Sequence, residues 1–497
     1  MQNGSIRKLV IAGGGTAGWM AAAMFARHLG DTLDIVLVES DEIGTVGVGE
    51  ATIPPLRLFH KYMNVSEPEF LRVVQGTFKL GIFFENWRNL GENYFGSFGW
   101  AGRERWAVGF QNYWLRGHLL GLARGYGEYC LETSAALRNR FAISLNTAMN
   151  YAYHIDAGLY GQFLRGIAEE SGVIRHEGKI DQVEQDPANG FITGLRLQSG
   201  QRVTGDLFID CTGFRGLLIE QTLNVGFDDY SDYLFCDRAI AVPSTASGGP
   251  LHPYTRATAH EAGWQWRIPL QHRVGNGMVF SSRHWSDDEA RARLLDNVQG
   301  TILAEPRLIR FRAGQRRRYW YKNCVALGLA SGFMEPLEST SIHLIQHGIT
   351  RLVQMFPDKG IREPAIAEFN AKMQNEIDNI RDFLIFHYHV TNRSDTPFWQ
   401  QCQTMDIPDS LTHRIELFRQ TGRIAWNPNE LFSTTFWVQV MLGQGLIPEQ
   451  YHPIANAMST DELERHLVDL HRQVEERVDQ LPDHQQFIDG YCKAPPI

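Results

Sequence analysis

Glycines at positions 13, 15 and 18, in the stretch Leu-Val-Ile-Ala-Gly-Gly-Gly-Thr-Ala-Gly that runs from Leu9 to Gly18, have the GxGxxG spacing with which a chain binds a dinucleotide pyrophosphate. Gly13 permits a tight turn, Gly15 lets backbone come close to the phosphates, and Gly18 lets a helix pack on a strand. The first helical N–H groups, from Thr16 and Ala17 onward, then point at the anion. An apolar run (Leu9, Val10, Ile11) before the glycines and an Ala/Met-rich segment from Trp19 to His28 after them predict strand, turn and helix. A second apolar run, Ile35 to Val38, ends at Glu39, where such a fold needs a carboxylate for a ribose hydroxyl of NAD or FAD. The competing reading is a signal peptide, since Leu9 to Ala26 carries no charge and follows Arg7 and Lys8. Three consecutive glycines would weaken such a helix, and Glu39 favours the nucleotide.

Further residues of chemical interest are scattered downstream. Thr45 to Pro55 reads as a flexible loop, with Gly47, Gly49 and Ala51 able to lie against a flat ligand, or as a surface connection. Phe78 to Phe84 predicts a strand in which Lys79 is the single charge, and by pattern alone such a lysine faces water. An apolar strand ending at Asp210 leads into a Thr-Gly turn, a second place for backbone to approach a nucleotide. Trp264 and Trp266 share a face if their segment is a strand, Pro269 ends its pairing, and core packing is the plain reading. A third strand and glycine turn, Ala326 to Gly332, precedes a helical pattern at Ile342, Ile345, Ile349 and Val353. Ser339 or Thr340 would cap that helix, the N–H groups of Thr340 and Ser341 would favour an anion, and Glu338 alone would only complement the helix dipole.

Around these residues the chain must build a large fold. Its 497 residues, 43% hydrophobic and 21% charged, suit two or three globular domains and not disorder. A formal net charge of -9 gives no basic footprint for nucleic acid. Six cysteines without CxxC or paired spacing fit free thiols in a reducing cytoplasm, and neither a metal-binding motif nor a further membrane-spanning stretch is evident. Aromatics crowd residues 93–114, in an insertion of about 93–144, and line a pocket or are core. Ile366, Phe369, Met373, Ile377, Ile380 and Leu384 recur at helical spacing, and Ser459 with Glu462 forms a capping box ahead of Leu463, Leu467, Leu470 and Val474. The expected division is therefore a module 1–365 and a mainly helical module 366–497.

With these residues in view, the chain resembles the flavin-dependent tryptophan halogenase family over nearly its whole length. The resemblance rests on the GxGxxG, the loop from Gly47 to Pro54, Lys79, the WxWxIP stretch from Trp264 to Pro269, and Glu335-Pro-Leu-Glu-Ser-Thr340. It implies an α/β fold: an FAD-binding Rossmann-like box as in flavin monooxygenases, with a mainly helical substrate module. Gly13, Gly15, Thr16, Ala17, Gly18, Glu39, Gly49, Ala51 and Gly332 would hold FAD, which a separate flavin reductase supplies in reduced form. Chloride or bromide held at Thr340 and Ser341 would be oxidised to hypohalous acid. Lys79 would then pass the halogen to an indole-type ring, either as an ammonium that protonates the departing hydroxide or as an amine that carries the halogen. Glu338 would orient the halogenating species or take the ring proton. Trp264, Trp266 and Pro269 would keep the substrate away from the flavin.

Ser341 and His343 stand where family members commonly have glycine and tyrosine. The segment Ile424 to Phe436 lacks the tyrosine- and acid-rich insert with which tryptophan-specific members grip the amino acid backbone. The resemblance thus implies a small aromatic or indolic substrate (indole, tryptophan or a larger indolic compound) and leaves room for a homodimer, while charge and hydropathy give no expectation of a nucleic acid or membrane partner. The alternatives are a flavin aromatic monooxygenase delivering oxygen and a non-catalytic FAD-binding protein.

Overall fold

The computed structural model describes residues 4–44, 49–105, 108–143, 149–428 and 430–496. Thr45–Val48, including Gly47 of the expected flavin loop, and Trp106 of the aromatic stretch lie outside the described residues.

The chain divides into two compact units, each assembled from three segments: Met1–Gly76, Ile155–Asp237 and Arg310–Asp378 in the first, Thr77–His154, Arg238–Ile309 and Asn379–Ile497 in the second. The division expected at 365/366 falls instead within a continuous helix, Glu363–His389. Helical periodicity marks where strands give way to helices, but it does not register which distant segments pair.

The first unit is built on a six-stranded sheet in the order Trp320–Tyr321, Cys324–Ala326, Leu207–Asp210, Lys8–Ala12, Asp34–Glu39, Ile174–Glu177. All neighbours are parallel except the first pair. Leu9 lies opposite both Leu207 and Ile35, and Leu9 to Ala12 are wholly buried, as a strand covered on both faces requires. Val10, Ala12, Val36, Val38, Phe208 and Ala326 share one core with Ile192, Leu195 and Leu197. The helix Thr16–Leu29 follows the first strand directly and packs beside the helix Ala157–Glu170. The Asp156 carboxylate caps that second helix by accepting from the N–H groups of Gly158 and Leu159.

The second unit holds a seven-stranded sheet in the order Arg307–Arg310, Arg238–Ser244, Val274–Phe280, Gly263–Pro269, Thr255–His260, Gly81–Glu85, Asn93–Ser97, in addition to the expected C-terminal helices. The segment from Phe78 to Phe84 is two strands rather than one, Thr77–Lys79 and Gly81–Glu85. Gly81 passes so close to its neighbour that a β-carbon there would stand 2.2 Å from the Gly96 carbonyl oxygen. The Ser459 capping box forms, and Leu463, Leu467, Leu470 and Val474 are buried along the helix Thr460–Asp479. Of the aromatic stretch, Phe110, Tyr113 and Trp114 are core, whereas Trp100 is 64% exposed. All six cysteines are buried and free, and no helix among the described residues is long and apolar enough to cross a membrane.

Candidate active site

Each glycine of the first loop has its own steric reason. Gly13 adopts φ +105, and a β-carbon there would stand 2.2 Å from the Cys211 carbonyl oxygen, so the turn closes against the end of the neighbouring strand. A β-carbon on Gly18 would stand 1.9 Å from the Gly13 carbonyl oxygen, which is the close helix–strand approach foreseen for it. Nothing lies within 4 Å of the corresponding position on Gly15, which leaves an open face at the N-terminus of the helix Thr16–Leu29. Gly15 is the N-cap and has no side chain to satisfy the first amides. Thr16 and Ala17 form the first turn, and Ala17 is approached by Gly328 (φ +63), so the third glycine turn comes up against the same helix end.

Glu39 ends its strand as expected, but it has a guanidinium partner that the sequence did not announce. Arg175 Nε donates to Glu39 Oε1 at 2.7 Å, with Arg165 at 4.0 Å, while Oε2 lies over Gly14. Asp210 is buried and fully engaged, accepting from the N–H groups of Thr212, Leu218 and Ile219, so it organises a turn of its own chain. Gly332 (φ +143) is required by backbone, since a β-carbon would stand 2.5 Å from the Gly314 carbonyl oxygen. Gly49 and Ala51 lie in the short strand Gly49–Ala51 and are buried. Between them, burial pushes the Glu50 carboxyl up to about 7.

In the turn from Glu335 to Thr340 every residue but the half-buried Pro336 is buried. Glu338 is not the solvated, dipole-facing glutamate that an isolated residue would suggest. Ser339 holds φ +58, a left-handed conformation that costs a non-glycine residue on the order of 1–3 kcal/mol. Thr340 is the N-cap of the helix Ser341–Gln354, yet no side-chain hydrogen bond caps it. The donor end of a fourteen-residue helix is therefore presented by Thr340 and Ser341 without a hydroxyl cap.

In that helix's first turn, His343 Nε2 donates to Glu376 Oε1 at 2.5 Å and His343 Nδ1 accepts from Gln346. Burial raises the Glu376 carboxyl, but the hydrogen bond from His343 leads the contributions that outweigh it and leave a net lowering. His343, His347 and Glu376 bring possible ligand atoms within 4.8 Å of one another, although both ring nitrogens of His343 are already engaged.

In the second unit, Lys79 is 0% exposed, which overturns the water-facing reading of its local pattern. Its ammonium stands 5.2 Å from the centroid of the Phe98 ring, a cation–π distance. Phe98 is roughly parallel to Phe436 at 6.4 Å, Phe436 to Phe432 at 5.7 Å, and Phe432 to Phe383 at 4.1 Å. This row of rings beginning at the lysine was not legible, because its members come from distant segments. Trp264 and Trp266 lie on the strand Gly263–Pro269 with centroids 6.1 Å apart, as their spacing implied. Both are buried, and neither indole N–H has a hydrogen-bond partner among the described residues. Gly277 makes room for the Trp266 ring, which a β-carbon would meet at 2.0 Å. Pro269 closes the strand, and its carbonyl accepts from the Thr77 hydroxyl at 2.8 Å, two residues before Lys79.

The family profile described as tryptophan halogenase matches residues 8–460. The chain belongs to the tryptophan halogenase family. It is 35% identical over 488 residues to the tryptophan 7-halogenase RebH of Lentzea aerocolonigenes, covering 91% of this chain and 92% of that one. Among solved structures, it is similar to Xcc4156, a flavin-dependent halogenase from Xanthomonas campestris, with TM-score 0.98 and 55% identity over 99% of this chain and 100% of the other. BrvH, a flavin-dependent halogenase from Brevundimonas sp. BAL3, superposes with TM-score 0.95 at 42% identity, covering 99% of both chains. As a member of the tryptophan halogenase family the chain is an enzyme, a flavin-dependent halogenase with a mixed α/β fold.

Proposed function

We propose that this halogenase takes reduced FAD from a separate flavin reductase and, with oxygen and chloride or bromide, forms hypohalous acid that Lys79 passes to an indole-type ring. The observation that carries this reading is a lysine buried without exposure and standing over an aromatic ring. A strand lysine placed for solubility would not be desolvated in this way.

The first unit fits FAD. The open face at Gly15 offers room for a pyrophosphate at a helix N-terminus, Gly13 and Gly18 bring strand and helix together there, and Glu39 supplies an acceptor for a ribose hydroxyl. Thr16, Ala17, Gly49, Ala51 and Gly332 complete the proposed set. Bound reduced FAD would supply two electrons and two protons, so that with oxygen, halide and one further proton the products are hypohalous acid, water and oxidised FAD.

The remaining steps belong to the chain. The uncapped amides at Thr340 and Ser341 hold the halide. The Lys79 ammonium donates to the hydroxyl of the hypohalous acid, making water the leaving group as the halogen bonds to the ring carbon. The ring proton goes to a carboxylate, for which Glu338 is the proposed acceptor. Trp264 and Trp266 exclude the substrate from the flavin, so that ring oxygenation does not compete.

The deciding experiment supplies flavin reductase, FAD, NADH and either halide with a panel of aromatic compounds, read by mass spectrometry. Halogenated indoles whose mass follows the halide support the reading. Hydroxylated rings formed without halide would make the protein a monooxygenase, and absence of turnover would leave an FAD-binding protein.

A further inference from the structure

We infer that His154 is a positioning residue for Lys79: a neutral imidazole that, through Thr77, fastens the lysine's strand to the carbonyl end of the tryptophan strand. The inference rests on the reading of Lys79 as the halogen-transfer residue.

The lysine's strand, Thr77–Lys79, is only three residues long, and Gly81 already belongs to a different sheet. Its antiparallel partner places His154 directly opposite Thr77 and Ala152 opposite Lys79. Alternation along a strand puts Thr77, Lys79, His154 and Ala152 on one face. Few ladder bonds hold so short a strand, so side-chain links carry more of its placement.

The hydrogen bonds around His154 have a single consistent direction. Thr77 Oγ1 lies 2.8 Å from the Pro269 carbonyl oxygen, which can only accept, so the Thr77 proton is committed there. The same Oγ1 lies 2.9 Å from His154 Nδ1 and must therefore accept, which puts the imidazole proton on Nδ1. Nε2 is then bare, and Thr255 Oγ1 at 3.0 Å donates to it. Burial, and next the charge of Lys79, hold His154 well below the usual histidine range, so the neutral tautomer is kept. Thr255, His154, Thr77 and Pro269 thus form one directed chain tying four strands together beside the lysine. On the opposite edge, the Phe78 N–H donates to His484 Nε2 at 3.3 Å.

The substitutions that separate positioning from packing follow from ring geometry. His154→Asn keeps a donor where Nδ1 stood and preserves the link to Thr77, whereas His154→Gln reaches toward Thr255 and leaves Thr77 without its donor. Thr77→Val removes the link while keeping side-chain shape. For each variant, flavin reoxidation, ring-halogenated product, scavengeable hypohalous acid and thermal midpoint are measured together.

We expect His154→Gln and Thr77→Val to reoxidise flavin at the wild-type rate while the share of oxidant reaching the ring falls about fivefold, the effect of one hydrogen bond of ordinary net worth. His154→Asn should retain most of the coupling. Unchanged coupling in His154→Gln and Thr77→Val overturns the inference. So does an equal fall in all three variants alongside a loss of thermal stability, which would make His154 a packing residue. If the wild type itself yields no halogenated ring, the reading of Lys79 fails first, and its failure is visible without any variant.

Discussion

The Glu39 carboxylate stands where a β-carbon on Gly14 would have to be, with Oε2 only 1.5 Å from that position. Gly14 is therefore the residue that admits the carboxylate proposed as the ribose acceptor, while Gly15 faces open space. Gly14→Ala should displace Glu39 and cost a charged hydrogen bond, about 1.5–3 kcal/mol, weakening FAD roughly tenfold to a hundredfold. Gly15→Val should fold normally but lose at least about tenfold in FAD affinity, because its side chain enters the place proposed for the pyrophosphate. Fluorescence titration of FAD alongside thermal melts checks both, and undiminished affinity in a folded Gly15→Val protein would contradict the assignment of this loop.

Lys79→Ala should still consume reduced FAD, oxygen and halide, and should release hypohalous acid into solution. Ring-halogenated product should fall by at least about a hundredfold, the usual worth of a positioned acid. Glu338→Gln should be milder, since an amide keeps the shape but cannot take a proton. Parallel assays of flavin reoxidation and product decide the matter; product at the wild-type rate in Lys79→Ala would end the proposed mechanism.

Indole and larger indolic compounds should compete with free tryptophan as substrates. Between the helices Asp409–Thr421 and Thr434–Gly443, the described residues form neither helix nor strand, and Glu430 there is paired with Arg414 at 2.7 Å. Phe432 and Phe436 from the same region join the ring row at Phe98. Losing a charged anchor for the amino acid backbone costs about 1.5–3 kcal/mol, which brings indole within reach of tryptophan. Specificity constants for the two test this, and a preference for tryptophan of several orders of magnitude would refute it.

Stability should fall as the solution is acidified below neutrality. Burial lowers His60 to about 3 and His484 to about 4, from 6.5. The unfolded chain therefore takes up these protons first, so the two contributions are complete above pH 6.5 and are lost as pH falls toward 4. Each adds a slope of roughly 1.4 kcal/mol per pH unit in that window. Glu50, raised by burial to about 7, acts with the opposite sign between 7 and 4.5 and offsets one of the two. Denaturant midpoints at pH 7, 6 and 5 should decline, and His484→Gln should flatten the slope.

What the sequence disclosed depended on how locally each feature is determined. Gly13 and Gly18 do what GxGxxG spacing implies, because turn, strand and helix are contiguous, and the Ser459 capping box spans four residues. Gly14 was passed over, since its reason is a carboxylate at the end of another strand. Lys79 was misread by pattern because alternation describes one face of one sheet, whereas this strand ends two residues before the next sheet begins. Only the family resemblance singled it out. Arg175 beside Glu39 and the His154 chain escaped for the same reason: their partners are brought together by pairing across long stretches of chain.

The interleaving of the two units sets a timetable for synthesis. Lys8–Ala12, the strand that carries the glycine loop, has Leu207–Asp210 as one neighbour, and that strand in turn needs Cys324–Ala326. At ribosomal speeds of about 5–20 residues per second, roughly 10 to 40 s separate the emergence of the first two strands. Throughout that interval one edge of a strand that is apolar from Leu9 to Ala12 is open to other nascent chains. Recovery of this enzyme from a cell should therefore depend on chaperones that shield the edge until its partner emerges, and slower translation lengthens the interval they must cover.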